Sequence, residues 1–82
     1  MGNDYLLAFE LNKDKDELEI FTDSSGLKLL IEELNKLLNS AEKGNNDHTH
    51  LMTEDWGGNE LTSKAQSGEV LNHVKIHCLN KN

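Results

Sequence analysis

The sequence predicts an α+β fold, in which one amphipathic helix packs on one face of a four- or five-stranded, mostly antiparallel sheet (β-β-α-β-(β)-β). Between Leu27 and Ala41 the apolar residues recur at spacings of three and four, as they do along one side of a helix. On either side of this segment they alternate with polar residues, which is typical of half-buried strands. Because a lone helix must bury its apolar side on another element, the sheet is its only available partner. We expect one domain, 1–82.

The two segments before the helix predict a hairpin. Residues 5–11 alternate, so that Tyr5, Leu7, Phe9 and Leu11 fall on one face of a first strand. A charged turn follows at residues 12–16. Residues 17–22 then alternate again, with Leu18 and Ile20 on one face, and a five-residue connection suits a hairpin.

The helix is predicted to begin at an N-cap and to end at a glycine. Asp23 suits the cap, because its carboxylate can accept hydrogen bonds from the free backbone N–H groups of the first turn. Gly44-Asn45-Asn46 suits the end, since these residues tolerate turn geometry. Leu29 falls off the apolar stripe. The predicted stripe consists of Leu27, Leu30, Ile31, Leu34, Leu37, Leu38 and Ala41.

After the helix, residues 48–53 predict a third strand, 54–59 a turn, 60–62 a short strand, 63–69 a polar loop and 70–79 the last strand. If Leu51 and the alternating Val74, Ile76 and Cys78 face the helix, their neighbours point to the other, open face of the sheet. All four histidines of the chain then share that face, provided that the two strands are adjacent. These are His48, His50, His73 and His77.

Composition excludes several classes of function. The net charge is −7, with 15 acidic residues against 8 lysines, which argues against binding to nucleic acid or to an anionic membrane surface. The charge either keeps a small protein soluble or imitates a polyanion and blocks a basic enzyme. No apolar run approaches the length of a membrane span, and the N-terminus lacks a basic signal region. The single cysteine, Cys78, is compatible with a reducing cytoplasm, where we expect the protein to act.

No motif indicates catalysis or a cofactor. The chain has no Ser-His-Asp order, phosphate-binding loop, Cys-x-x-Cys pair or His-Glu-x-x-His helix, so we expect neither an enzyme nor a bound cofactor. His48-x-His50 with His73 and His77 leaves a metal site as an alternative, but four ligands on a flat sheet rarely converge. Cys78 is expected to be a small core hydrophobe.

Trp56-Gly57-Gly58 suits a recognition loop. Tryptophan offers a large apolar area with few rotatable bonds, which is why it dominates interface hot spots. Paired glycines would let the backbone turn sharply and leave the indole uncovered. The alternative is that Trp56 folds back over the edge of the sheet and closes the core; the two roles can coexist.

This region resembles the immunity protein 32 family of bacterial polymorphic toxin systems. The resemblance rests on His48-x-His50-Leu51-Met52-Thr53, on Glu54-Asp55-Trp56-Gly57-Gly58-Asn59-Glu60-Leu61 and on Asn72-His73-Val74-Lys75-Ile76. It implies an antidote that binds and inhibits a cognate toxin domain by stoichiometric association. Many such toxins are nucleases with basic clefts, which an acidic protein would suit. The residues expected to bind the partner are Trp56, Glu54, Asp55, Gly57, Gly58, Glu60, His48, His50 and His73.

Two other functions stay open at this point. One is a small histidine-rich metal-binding domain, and the other is a structural module that self-associates through the open sheet face. The oligomeric state, monomer or homodimer, is likewise open.

Overall fold

The computed structural model describes residues 4–79 and confirms the predicted α+β class. Asp23 caps the helix as predicted, since its side chain accepts a hydrogen bond of 2.8 Å from the backbone N–H of Gly26. No helix within the described range combines the length and the apolar character needed to cross a membrane. In chain order the elements are β1 (Leu7–Leu11), β2 (Leu18–Thr22), α1 (Ser24–Glu42), β3 (Asp47–Met52), a 3₁₀ turn (Glu54–Trp56), β4 (Glu69–Val70) and β5 (His73–Cys78).

The strands are divided between two sheets. β1 lies between β2 and β4 in a three-stranded sheet, whereas β3 and β5 form a two-stranded ribbon, and every pairing within these sheets is antiparallel. The last strand predicted from residue 70 is interrupted at residues 71–72. There the Leu71 N–H donates to Phe9 O of β1, and the Asn72 carbonyl accepts from the Thr53 N–H that follows β3. These residues therefore join the two sheets.

The core lies where the two sheets meet beneath the helix. Leu7, Phe9, Leu51 and Leu61 are buried together, and Leu61 comes from the segment predicted as a short strand. In the structure that segment is reduced to a single bridge between Thr53 and Leu61. It still bonds both sheets, because the Leu61 N–H donates to Met52 O and the next N–H donates to Leu7 O.

The side of α1 that faces the sheets differs from the predicted stripe. Leu37 is buried and Leu30 packs on the core as predicted, but Leu29 packs there too. The prediction that the whole stripe is buried is wrong, because α1 packs mainly on the β3–β5 ribbon. Two strands about 5 Å apart are too narrow to cover a broad side of a helix about 10 Å across. The exposed stripe residues are Leu27 (46% exposed), Ile31 (49%), Leu34 (40%) and Leu38 (51%).

The sheet face opposite the helix is open only in part. Over β1 it is covered by the loop at residues 66–68, and both Ala8 and Glu10 are buried. The Glu10 carboxylate accepts three backbone hydrogen bonds of 2.6–3.0 Å from the N–H groups of this loop. Burial alone would raise the pKa of the Glu10 carboxyl, but the hydrogen bonds from the backbone N–H groups of Gly68, Gln66 and Ser67 together lower it by more. The pKa of Glu10 therefore lies below its ordinary value. A buried charge thus fastens the loop to the sheet.

Candidate functional site

The four histidines lie together on the open face of the β3–β5 ribbon, as the alternation predicted. In the antiparallel register His48 pairs with His77, His50 with Lys75, and Met52 with His73. Paired residues point to the same side of a sheet, and all four imidazoles are exposed. Thr49 and Leu51 point the other way, toward α1 and the core, where Thr49 Oγ1 donates to Glu33 Oε1 at 3.0 Å.

The four imidazole rings form a row of pairwise contacts that ends at Trp56. The ring centroids of His48 and His77 are 5.6 Å apart, those of His48 and His50 4.7 Å, and those of His50 and His73 5.1 Å. His73 is followed by the Trp56 indole at 6.4 Å. We call this continuous row the His–Trp strip, and its members are His77, His48, His50, His73 and Trp56.

One close polar contact orients the middle of the strip. His50 Nδ1 and His73 Nε2 lie 2.9 Å apart, the distance of a hydrogen bond in which one ring nitrogen donates and the other accepts. Desolvation lowers the pKa of His50 most, and the nearby positive charges of His48, Lys75, His73 and His77 lower it further. The neutral form of His50, which offers one donor and one acceptor nitrogen, is therefore favoured.

The turn that carries Trp56 needs both of its glycines. Gly57 ends the 3₁₀ turn with a φ of 89°, a left-handed conformation that favours glycine. At Gly58 the backbone passes so close to β3 that a β-carbon would lie 2.5 Å from Met52 Cβ and 2.6 Å from Met52 O. The Gly58 N–H also donates to Thr53 O at 2.9 Å. The Trp-Gly-Gly sequence thus specifies one compact turn.

The turn is fixed to the ribbon by two polar residues whose role sequence reasoning missed. Thr53 is fully buried, and its Oγ1 donates to Asn72 Oδ1 at 2.7 Å, which links the start of the turn to the start of β5. Glu60, at the far end of the turn, accepts from the Met52 N–H at 3.0 Å. Both contacts join residues at least eight positions apart, so no local sequence pattern predicts these hydrogen bonds. Together they tie both ends of the turn to the ribbon.

The indole of Trp56 is presented outward. It is 60% exposed and lies outside the core cluster, so it does not close the core. Glu54 and Asp55, which precede it in the same 3₁₀ turn, are exposed as well. The arrangement combines an apolar anchor, two carboxylates and a row of imidazoles on one surface, which suits recognition of a protein partner.

The described residues offer no metal-binding group. Within residues 4–79 no three histidine, cysteine, aspartate or glutamate side chains are placed so as to hold a metal ion. The imidazoles are spread along the ribbon in pairwise contacts. Cys78 points to the helix side of β5, away from the strip, and is half-buried.

The comparisons with known proteins give one kind of match. Neither the curated proteins nor the solved structures contain a match. The sequence does match the family model of immunity protein 32 over residues 17–74, which confirms the predicted resemblance. The matched segment contains β2, α1, β3, the turn, β4 and the first part of β5, but not β1 or His77. Because it spans more than half of the 82 residues, the chain belongs to the immunity protein 32 family.

Proposed function

We propose that the chain, acting as one domain, neutralises a cognate toxin of a bacterial polymorphic toxin system by stoichiometric binding. Its family implies a toxin protein as the partner, and proteins of this kind are generally not enzymes. Inhibition then follows from occupancy of the toxin and not from any reaction. Binding takes place in the cytoplasm, where an incoming toxin would meet its target.

The observation that carries this proposal is the outward presentation of Trp56 on a hydrogen-bonded turn. Trp56 is 60% exposed, and because an indole has only two rotatable side-chain bonds it loses little conformational entropy when a partner covers it. Such aromatic residues supply most of the energy of an interface when they enter a desolvated pocket. Gly57, Gly58 and Glu60 serve binding by holding the turn, whereas Trp56 itself makes the contact.

The histidines next to Trp56 give the surface its polar complementarity. His48, His50 and His73 are exposed, and their ring nitrogens are available for hydrogen bonds with polar groups of a partner. Glu54 and Asp55 add negative charge at the edge of the anchor. The interface would then have an apolar centre and a polar rim, which is the usual anatomy of a specific protein contact.

The charge of the chain supports a basic partner, such as a nuclease domain with a cationic cleft. At −7 over 82 residues the chain attracts positive surfaces over roughly 8–10 Å at physiological ionic strength. Steering of this kind raises the association rate more than it lowers the dissociation rate. A fall in the association rate with added salt would support a basic toxin, whereas a rate that salt leaves unchanged would contradict it.

The test uses the C-terminal toxin domain encoded beside this chain, co-expressed and then titrated calorimetrically with the purified protein. We expect protection of the cells and a complex in fixed stoichiometry. Trp56→Ala should weaken binding by about 2 kcal/mol, or roughly thirtyfold, as for an interface hot spot.

Leu18→Ala is the matched control, because Leu18 is also more than half exposed but lies on the helix side of the fold. It should leave the affinity for the toxin domain unchanged. Absence of protection together with absence of a complex would overturn the proposed function. Equal losses of affinity in the Trp56→Ala and Leu18→Ala variants would show that Trp56 is not a hot spot of the interface.

A further inference from the structure

A second surface, separate from the His–Trp strip, lies along the exposed side of α1. Its side chains recur at spacings of four, three and four, which is the narrow seam by which one helix packs against another. The seam lies about a quarter turn around the helix from the buried Leu37, so the sheets do not cover it. We call it the α1 seam, and it consists of Leu27, Ile31, Leu34 and Leu38.

Two further exposed apolar side chains lie on the helix side of the molecule. Leu18 and Ile20 of β2 are also about half exposed, and they pair with Leu11 and Phe9 of β1. Since Phe9 belongs to the core beneath α1, these two side chains point to the helix side as well. Among the described residues, only Trp56 and Leu79 are other large hydrophobic side chains with comparable exposure.

The exposed apolar area is large enough to form a contact site. The six side chains together expose roughly 500 Å², which matches the largest single patches of ordinary monomers at about 300–600 Å², and such patches mark contact sites. Two copies placed face to face would therefore bury at most about 1,000 Å² of apolar surface from these side chains, before any polar rim is counted. That area reaches the lower bound of about 1,000 Å² for a specific interface.

Charge indicates which partner fits this side. α1 carries two lysines and three glutamates, a net charge of −1, against −7 for the whole chain. A basic toxin would be drawn to the acidic remainder and not to this nearly neutral helix. A second copy of α1 brings a local charge of only −1, so repulsion at the contact itself is weak even though each whole chain carries −7. A symmetric pair also buries the same patch on both chains, as a twofold interface requires.

We infer that the α1 seam is a homodimer interface, in which the seams of two copies of this chain pack against each other. The interface is independent of the proposed toxin site, because β3 directs its histidines to the opposite side from α1. Removal of the toxin-binding surface therefore leaves the dimer intact.

The test is the mass of the purified full chain in solution, measured by sedimentation equilibrium over a series of concentrations. We expect twice the 9.2 kDa of one chain at high concentration and dissociation on dilution. Ile31→Glu should raise the dissociation constant at least about tenfold, because it places an unpaired charge in the centre of the seam. Leu38→Glu, near the end of the helix, tests the same surface if Ile31→Glu fails to fold by circular dichroism.

Asn39→Glu is the matched control, since it adds the same charge to an exposed position of α1 that lies away from the seam. It should dimerise like the wild type, and so should Trp56→Ala. A wild-type chain that stays at 9.2 kDa at about 1 mM overturns the inference, even if Ile31→Glu then loses affinity for the toxin domain. Equal effects of Asn39→Glu and Ile31→Glu overturn it as well.

Discussion

Replacement of Gly58 by alanine should destabilise the fold, although it adds only one methyl group. The new β-carbon would lie 2.5 Å from Met52 Cβ and 2.6 Å from Met52 O, where carbon contacts normally need about 3.5–4.0 Å. The obstacles are the backbone of β3 and a β-carbon bonded directly to it, so no side-chain rotation can relieve the overlap. The turn or the strand must shift by about 1 Å.

Such a shift has a cost that follows from the neighbouring bonds. Met52 O accepts from the N–H groups of Glu60 and Leu61 at 3.2 and 3.1 Å, and both bonds weaken if the strand moves. Overpacking costs about 1–3 kcal/mol, and each weakened hydrogen bond adds up to about 1 kcal/mol. We expect a loss of about 3 kcal/mol, a large share of the stability of a small domain.

The neighbouring glycine separates steric overlap from backbone strain. A β-carbon at Gly57 meets no atom within 4 Å, but the φ of 89° strains any other residue. Gly57→Ala should therefore cost about 1–2 kcal/mol, and Gly57→Asn less, because asparagine tolerates left-handed geometry. Urea unfolding, followed by the fluorescence of Trp56, gives all three values. A Gly58→Ala variant within about 0.5 kcal/mol of the wild type would refute this reasoning, since surface changes reach that size.

Two more predictions concern charge and pH. Glu10→Gln should lower the free energy of unfolding by about 3 kcal/mol in urea titrations, because an amide cannot accept from all three backbone N–H groups of residues 66–68. Since the folded pKa of Glu10 is depressed, its stabilisation is complete above about pH 4.5 and is lost as the pH falls through the folded pKa; the variant should lack this part of the acid sensitivity. The folded pKa of His50 is also depressed, so the thermal midpoint should fall as the pH drops below about 6.5, and His50→Gln should reduce that fall. Equal pH profiles for a variant and the wild type would contradict the corresponding prediction.

Period-two alternation was sufficient to predict the histidine face. Side chains of a strand point to alternate sides, so the apolar Leu51 and Val74 determined the direction of His50 and His73 once their strands were paired. The N-cap at Asp23 was equally predictable, since its cause is confined to the first turn of the helix. Both features depend on local geometry that the sequence carries directly.

The buried side of α1 was predicted only in part. Apolar residues occupy more than half of the circumference of this helix, and the spacing alone does not reveal how wide the facing surface is. The split of the strands into two sheets leaves a narrow ribbon beneath α1, and this split depends on contacts between residues far apart in sequence. Leu29 was therefore assigned to solvent and Ile31 to the core, whereas the structure has them reversed.

The anchors of the site were not predictable for a similar reason. Thr53 and Asn72 are 19 positions apart, and Glu10 bonds to backbone groups 56–58 positions away. Backbone N–H groups have no sequence signature, so a carboxylate that binds them looks like any exposed acid on a strand. The Trp-Gly-Gly turn, in contrast, was predictable from the sequence, because the paired glycines indicate a sharp turn and their conformational requirements are local.

The two proposed interfaces lie on different sides of the molecule. β3 directs Thr49 and Leu51 toward α1 and His48 and His50 away from it, so a toxin on the strip and a second copy on the seam do not compete for the same surface. The division also separates charge, because the nearly neutral helix faces the second copy and the acidic remainder is left to steer a basic toxin. A dimer would then carry two strips and bind two toxin domains. Trp56→Ala should weaken only toxin binding and Ile31→Glu only dimerisation. The double variant should therefore show both losses at their single-variant sizes, as expected for distant sites without shared partners.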